Sequence, residues 1–171
     1  LADLIACCCA GTVFCIVFAF AQGVIGLLLG GKIQSAPTKL LLYGALSIAL
    51  TFAFTALFTL IAMLCGSRAH SVAGCLLLAF VLIFLGVYIT SALNEPEYLA
   101  GYSFTEGGVT VEEPETKNPN YIGGTKRKVY EFMRDFTPGG QVLEIGDMDA
   151  EKPAMLALYD AIILIVATGI G

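Results

Sequence analysis

Asp160 is the residue whose surroundings most favour chemistry, because it is the only acid inside a long apolar stretch, Ala154–Gly171. A carboxyl group within an apolar helix is expensive to bury and commonly marks an ion or substrate pathway. The structural alternative is that Asp160, roughly 10 Å along the helix from Pro153, is stabilised by the positive end of the helix dipole. From the sequence, both interpretations stay open.

A second candidate is a row of hydroxyl side chains spaced by four residues: Ser47, Thr51, Thr55 and Thr59. This spacing places the side chains on one face of a helix. Such hydroxyls either bond to a carbonyl of their own helix one turn earlier, or line a polar path or an interhelical seam. With Asp160, the row forms the predicted substrate path or helix seam, and we expect it to face protein rather than lipid.

The six cysteines lie in or beside apolar segments: Cys7, Cys8, Cys9, Cys15, Cys65 and Cys75. Consecutive helical residues point in different directions and the only His is distant in sequence, so we predict no metal site. A ladder of small residues instead repeats every four positions: Cys7, Gly11, Cys15, Ala19 and Gly23. Helices in lipid approach closely over such faces, so the ladder predicts helix packing.

Several function classes lack support. With a single His, the sequence has neither H-E-x-x-H nor G-x-S-x-G, which argues against a hydrolase. Residues 26–33 match G-x-x-x-x-G-K-[ST] only up to the Lys, because Ile33 stands where the magnesium-binding hydroxyl is needed. A net charge of -5 gives no electrostatic footprint for nucleic acid. We therefore expect no enzyme activity and no cofactor bound by this chain.

The composition places most of these residues in a membrane. Of 171 residues, 57% are hydrophobic and only 13% are charged, and the mean hydropathy is +0.83. Four apolar segments, at about 4–29, 40–64, 72–93 and 153–171, approach or exceed the length of a membrane-spanning helix, and we expect the last to be a truncated span. The sequence thus predicts an all-α, polytopic transmembrane helical bundle.

One long polar loop, residues 94–152, separates the third and fourth spans and holds 18 of the 23 charged residues. We expect loop over 99–120 and then an amphipathic helix over about 126–136, which Pro138 and Gly139 end. The apolar residues of that helix share one face: Val129, Phe132, Met133 and Phe136. This face is expected to lie on the headgroup boundary or on the spans, with packing against the loop as the alternative.

Three features of the sequence occur in a recognisable order along the chain. Two spans are joined by a short loop, a third is entered through Cys65–His70, and the long loop carries YEFMRDFTPGGQ at Tyr130–Gln141 before the last span. This layout resembles the C-terminal two-thirds of a bacterial ABC transporter permease of the type-2 exporter family, especially the small permeases of Gram-positive bacteria.

The resemblance implies a multi-pass protein of the cell membrane that moves an amphipathic or small substrate by alternating access. It implies a second permease subunit and an ABC ATPase subunit as partners, with ATP and magnesium on the ATPase. It also places the long loop outside the cell, although Lys32 and Lys39 against Arg68 in the short joints favour the opposite orientation. The alternative is a non-transporting four-span membrane protein with a structural or receptor role.

Overall fold

The computed structural model describes residues 2–29, 35–106 and 109–170, which form six helices and four short strands. The helices are α1 (Ala2–Leu28), α2 (Pro37–Leu64), α3 (Arg68–Leu93), α4 (Gly124–Phe136), α5 (Pro138–Gly146) and α6 (Pro153–Ile170). The strands are β1 (Tyr98–Leu99), β2 (Tyr102–Glu106), β3 (Val109–Glu113) and β4 (Thr116–Lys117).

Four of these helices are long and apolar enough to cross a membrane: Leu4–Ile25, Pro37–Leu64, Arg68–Leu93 and Pro153–Ile170. Because lipid offers no hydrogen bonds to the backbone, a helix is the structure that lets such a segment satisfy its own amides. Large apolar side chains such as Phe18, Leu77 and Phe84 point outward, as lipid contact requires. The chain is a membrane protein, and the predicted bundle of membrane-spanning helices is confirmed at this level.

Helix α2 lies at the centre of the bundle and contacts α1, α3, α5 and α6. Its buried residues recur at intervals of three or four: Tyr43, Leu46, Leu50, Ala53 and Ala56. Tyr43, Leu46 and Leu50 form one apolar cluster with Ile145 of α5 and Leu156 of α6. The short helix α5 is therefore part of the core of the bundle rather than a separate solvated element.

The first half of the polar region differs from the predicted loop. Strand β1 pairs antiparallel with β4, and β2 pairs antiparallel with β3. Asn118 closes the base of this arrangement: its backbone N–H donates to Glu97 O at 2.9 Å, and its side-chain Nδ2 donates to Glu95 Oε2 at 2.8 Å and to Pro96 O at 3.0 Å. The Thr, Tyr, Phe and Val of these strands favour a paired ladder over the loop that the glycines suggested.

A second helix, α5, begins where the sequence predicted only an ending. Thr137 closes α4 and also starts α5, since its hydroxyl accepts a hydrogen bond from Gly140 N–H. Pro138 occupies the first helical position, where proline has no amide to lose and its fixed φ suits a helix. The amphipathic helix ends just before Pro138, as predicted, but the sequence did not predict that Pro138 and Gly139 also initiate the next helix.

Two glycines bring α3 and α5 into backbone contact. A Cβ added to Gly139 would overlap the carbonyl group of Leu82, and one added to Gly86 would overlap the carbonyl group of Gly139. No side chain fits between the two helices at this point. Membrane helices use small residues for such close approach. The contact fixes the first turn of α5 against the middle of α3.

We expect Gly139→Ala to destabilise the protein by about 1–3 kcal/mol, the usual effect of overpacking, because the new methyl group meets immobile backbone. Gly146→Ala is the matched control on the same helix, since a Cβ there has no neighbour within 4 Å. Thermal unfolding in detergent measures both. Equal melting temperatures for the two variants would contradict the backbone contact.

Candidate functional site: a buried carboxyl and amide pair

Asp160 lies on the buried face of α6 with Leu156, Ile163 and Ala167. The residue is only 2% exposed, so it points into the protein and not toward lipid or water. It stands seven residues beyond Pro153, the first residue of α6, whereas the favourable effect of the dipole on an anion fades within the first turn. The helix dipole alone therefore does not account for a carboxyl group at this position.

Gln141, in the first turns of α5, is the polar side chain that faces Asp160. It is fully buried, and its Nε2 donates a hydrogen bond to the backbone oxygen of Asp135 at 2.8 Å. Because a carbonyl oxygen only accepts, this bond fixes which end of the amide is nitrogen. Gln141 is not among the predicted site residues, although the sequence places it four residues before Ile145, on the same face of a helix.

The pair is short of hydrogen-bond donors. Both carboxyl oxygens of Asp160 and the Oε1 atom of Gln141 are buried without a hydrogen-bond partner in the described part of the chain. Buried polar atoms are almost always paired, and those that are not commonly mark a functional site or a bound species. Asp160 and Gln141 together are therefore the candidate functional site.

An ion-pair network lies at the junction of α4 and α5. Arg134 Nη2 is 2.9 Å from Asp135 Oδ1 and 2.7 Å from Glu144 Oε1. Only 9% of the Glu144 side chain is exposed. Burial raises the pKa of this carboxyl above its ordinary value, although the Arg134 guanidinium acts in the opposite direction. The network ties the two short helices together beside the buried pair.

The predicted apolar face of α4 lies partly on α6. The rings of Phe132 and Phe136 stand edge-on to Tyr159, with centroids 5.9 and 5.4 Å away. Met133 is half-buried, whereas Val129 is exposed. At Phe132 and Phe136, the apolar face of α4 therefore packs on the spans, which is one of its expected positions.

The hydroxyl row of α2 satisfies its own hydrogen bonds. Ser47, Thr51, Thr55 and Thr59 each donate to the carbonyl oxygen four residues earlier, at 2.7–2.8 Å. Within the described residues, no hydrogen bond joins this row to Asp160. The sequence placed this hydroxyl row and Asp160 on one path. In the structure they have different neighbours, since Thr51 contacts α1 and Asp160 contacts α5.

The small-residue ladder of α1 packs on α2 only at its middle. Cys15 Sγ lies 3.1 Å from Thr51 Oγ1, and a Cβ added to Gly11 would lie 2.7 Å from Thr51 Cγ2. A Cβ at Gly23 would have no neighbour within 4 Å, and Cys7 and Ala19 are exposed. In the described residues, no group of three or more His, Cys, Asp or Glu is placed to hold a metal ion.

The contact between α1 and α2 can be measured by cross-linking Cys15 to Thr51→Cys in a background without the other five cysteines. We expect efficient disulfide formation, because the two side chains already touch. Adding Gly11→Leu should lower the yield severalfold, since a side chain at position 11 meets Thr51. Gly23→Leu is the control and should leave the yield unchanged. Equal yields in both Leu variants would refute this packing.

The raised pKa of Glu144 should make the stability of the folded protein depend on pH. Because its pKa is raised in the folded protein, its contribution to stability is complete below the pKa of an unfolded Glu and is lost as the pH rises through the raised value. We expect Glu144→Gln to reduce the fall in melting temperature as the pH rises above about 4, the ordinary pKa of a Glu side chain. Melting curves of the two proteins across that range test this, and parallel curves would contradict it.

No family model, curated protein or solved structure matches this chain.

Proposed function

We propose that this chain is part of the membrane-spanning permease subunit of an ATP-driven ABC exporter. The observation that supports this most is the position of residues 130–141, the stretch that carries the resemblance. They form the end of α4, the turn at Thr137 and the start of α5, and they pack on α3 and α6. The polar region is thereby attached to the spans, and a movement of the spans must also move α4 and α5.

A role in transport makes use of this attachment. A receptor or scaffold gains most from a loop that projects and binds a partner, whereas here the second half of the loop is built into the bundle through Gly139, Gln141 and Ile145. Alternating access requires packed helices that shift between two discrete arrangements. The small-residue contact between α1 and α2 is a surface over which such a shift would occur.

In this proposal, ATP and magnesium bind to a separate ATPase subunit, and two permease subunits enclose the path of an amphipathic or small substrate. The loop with α4 and α5 lies on the outer face of the cell membrane. The exposed apolar faces of α1 and α3 then contact lipid or the second permease subunit. The chain itself performs no covalent chemistry.

The test is association with an ATPase. A tagged form of the complete permease is expected to co-purify with an ABC ATPase subunit and to change its rate of ATP hydrolysis in proteoliposomes severalfold. Gly139→Ala should weaken this effect because it displaces α5, while Gly146→Ala should preserve it. A stable permease that binds no ATPase and alters no ATP hydrolysis would instead favour the non-transporting four-span protein.

A further inference from the structure

Asp160 and Gln141 meet where α6 passes the first turns of α5, and both are sealed from solvent, with exposures of 2% and 0%. Between them, three oxygen atoms lack a hydrogen-bond partner in the described residues. With Asp160 ionised, the only donors on these two side chains are the amide hydrogens of Gln141, and one of these is already bonded to Asp135 O. The contact contains more acceptors than donors, and it contains a charge.

We propose that Asp160 is a proton-binding site, and that its bound proton makes this contact neutral while α5 lies against α6. A proton on one carboxyl oxygen supplies the missing donor and removes the charge whose burial is unfavourable. Separation of α5 from α6 would expose the carboxyl group to water, where it releases the proton. Proton binding and the contact between Gln141 and Asp160 are therefore coupled. This inference does not depend on the exporter proposal.

Neighbouring charged groups do not neutralise Asp160 in place of the proton. On α4 and α5, Arg134 is bound to Asp135 and Glu144. On α2, the Tyr43 hydroxyl accepts a hydrogen bond from Ala150 N–H at 2.8 Å. On α6 itself, Tyr159 packs against Phe132 and Phe136, and on α1, Cys8 packs in the cluster that contains Leu164 and Ala167. In the described residues, none of these groups forms a hydrogen bond or ion pair with Asp160.

A metal ion fits the site less well than a proton. Calcium takes about six to eight oxygen ligands, and magnesium needs a nearly ideal octahedron that usually includes several waters. The contact offers three unpartnered oxygens and one carboxylate, and both side chains are almost fully buried, which is unfavourable for a hydrated ion. A proton needs neither extra ligands nor extra space.

Infrared spectroscopy of the protein in lipid nanodiscs tests the proposal directly. At neutral pH we expect a C=O band of a protonated carboxylic acid that Asp160→Asn removes. The controls are Asp147→Asn, which changes an exposed acid of the same region, and Glu144→Gln, which changes the other buried acid. Both controls should keep the Asp160 band. Gln141→Met should shift the band, because the amide that faces the carboxyl group is gone.

An Asp160→Asn spectrum that retains every protonated carboxyl band would show that Asp160 is ionised and would overturn the proposal. A gain in thermal stability on adding sodium or potassium ions that disappears in Asp160→Asn would also overturn it, in favour of a cation site. If Asp160→Asn does not fold, Asp160→Glu serves instead. It keeps a carboxyl group and should shift the band in frequency, and an unshifted band would remove the assignment to position 160.

Discussion

The close contact between α3 and α5 at Gly86 and Gly139 is the interaction on which the organisation of this protein depends. It brings backbone against backbone, so it fixes the distance and the rotation of α5 relative to the spans. Gln141 follows two residues after Gly139 and is thereby carried into the interior against Asp160. A second attachment of α5 to the bundle is Ile145, which packs with Leu46 of α2 and Leu156 of α6.

The position of α5 on α3 also brings charged side chains of the polar region together. Arg134 is near the end of α4 and Glu144 is near the end of α5, and the turn at Thr137 folds the two helices so that these side chains meet. Their ion pair is largely buried, and breaking a buried pair is much more harmful than its net contribution to stability suggests. The junction therefore acts as a rigid unit beside α6, with Phe136 packed against Tyr159 on its apolar side.

Helix α1 relates differently to the bundle. It packs mainly on α2, at Gly11 and Cys15, and most of its large side chains are exposed. In lipid no hydrophobic effect holds two helices together, so the close fit at this small-residue contact supplies the attraction. The N-terminal part of α1 also reaches the bundle, because Leu4 and Cys8 pack in one cluster with Ala56 of α2 and Ala167 of α6.

The amino-acid sequence was enough to show that most of the chain lies in lipid and to locate the periodic patterns of its helices. Long apolar stretches can only be helices in lipid, and the spacing of Val129, Phe132, Met133 and Phe136 indicated the helix that the structure places at Gly124–Phe136. Asp160 was visible as a lone acid in an apolar segment. The four-residue spacing of Ser47, Thr51, Thr55 and Thr59 also permitted the bonds to their own helix that the structure contains.

The contacts of these residues depend on how the helices pack, which the sequence did not show. Locally, Pro138 and Gly139 predict the end of a helix. In the structure they begin a second helix, which is stabilised by burial against α3. Gly139 allows this close approach because it has no side chain. The partner of Asp160 is 19 positions earlier in the chain, and no periodicity relates residues on different elements. The small-residue ladder of α1 shows the same limit. Its spacing defines one face of the helix, but the position of α2 determines which part of that face is packed.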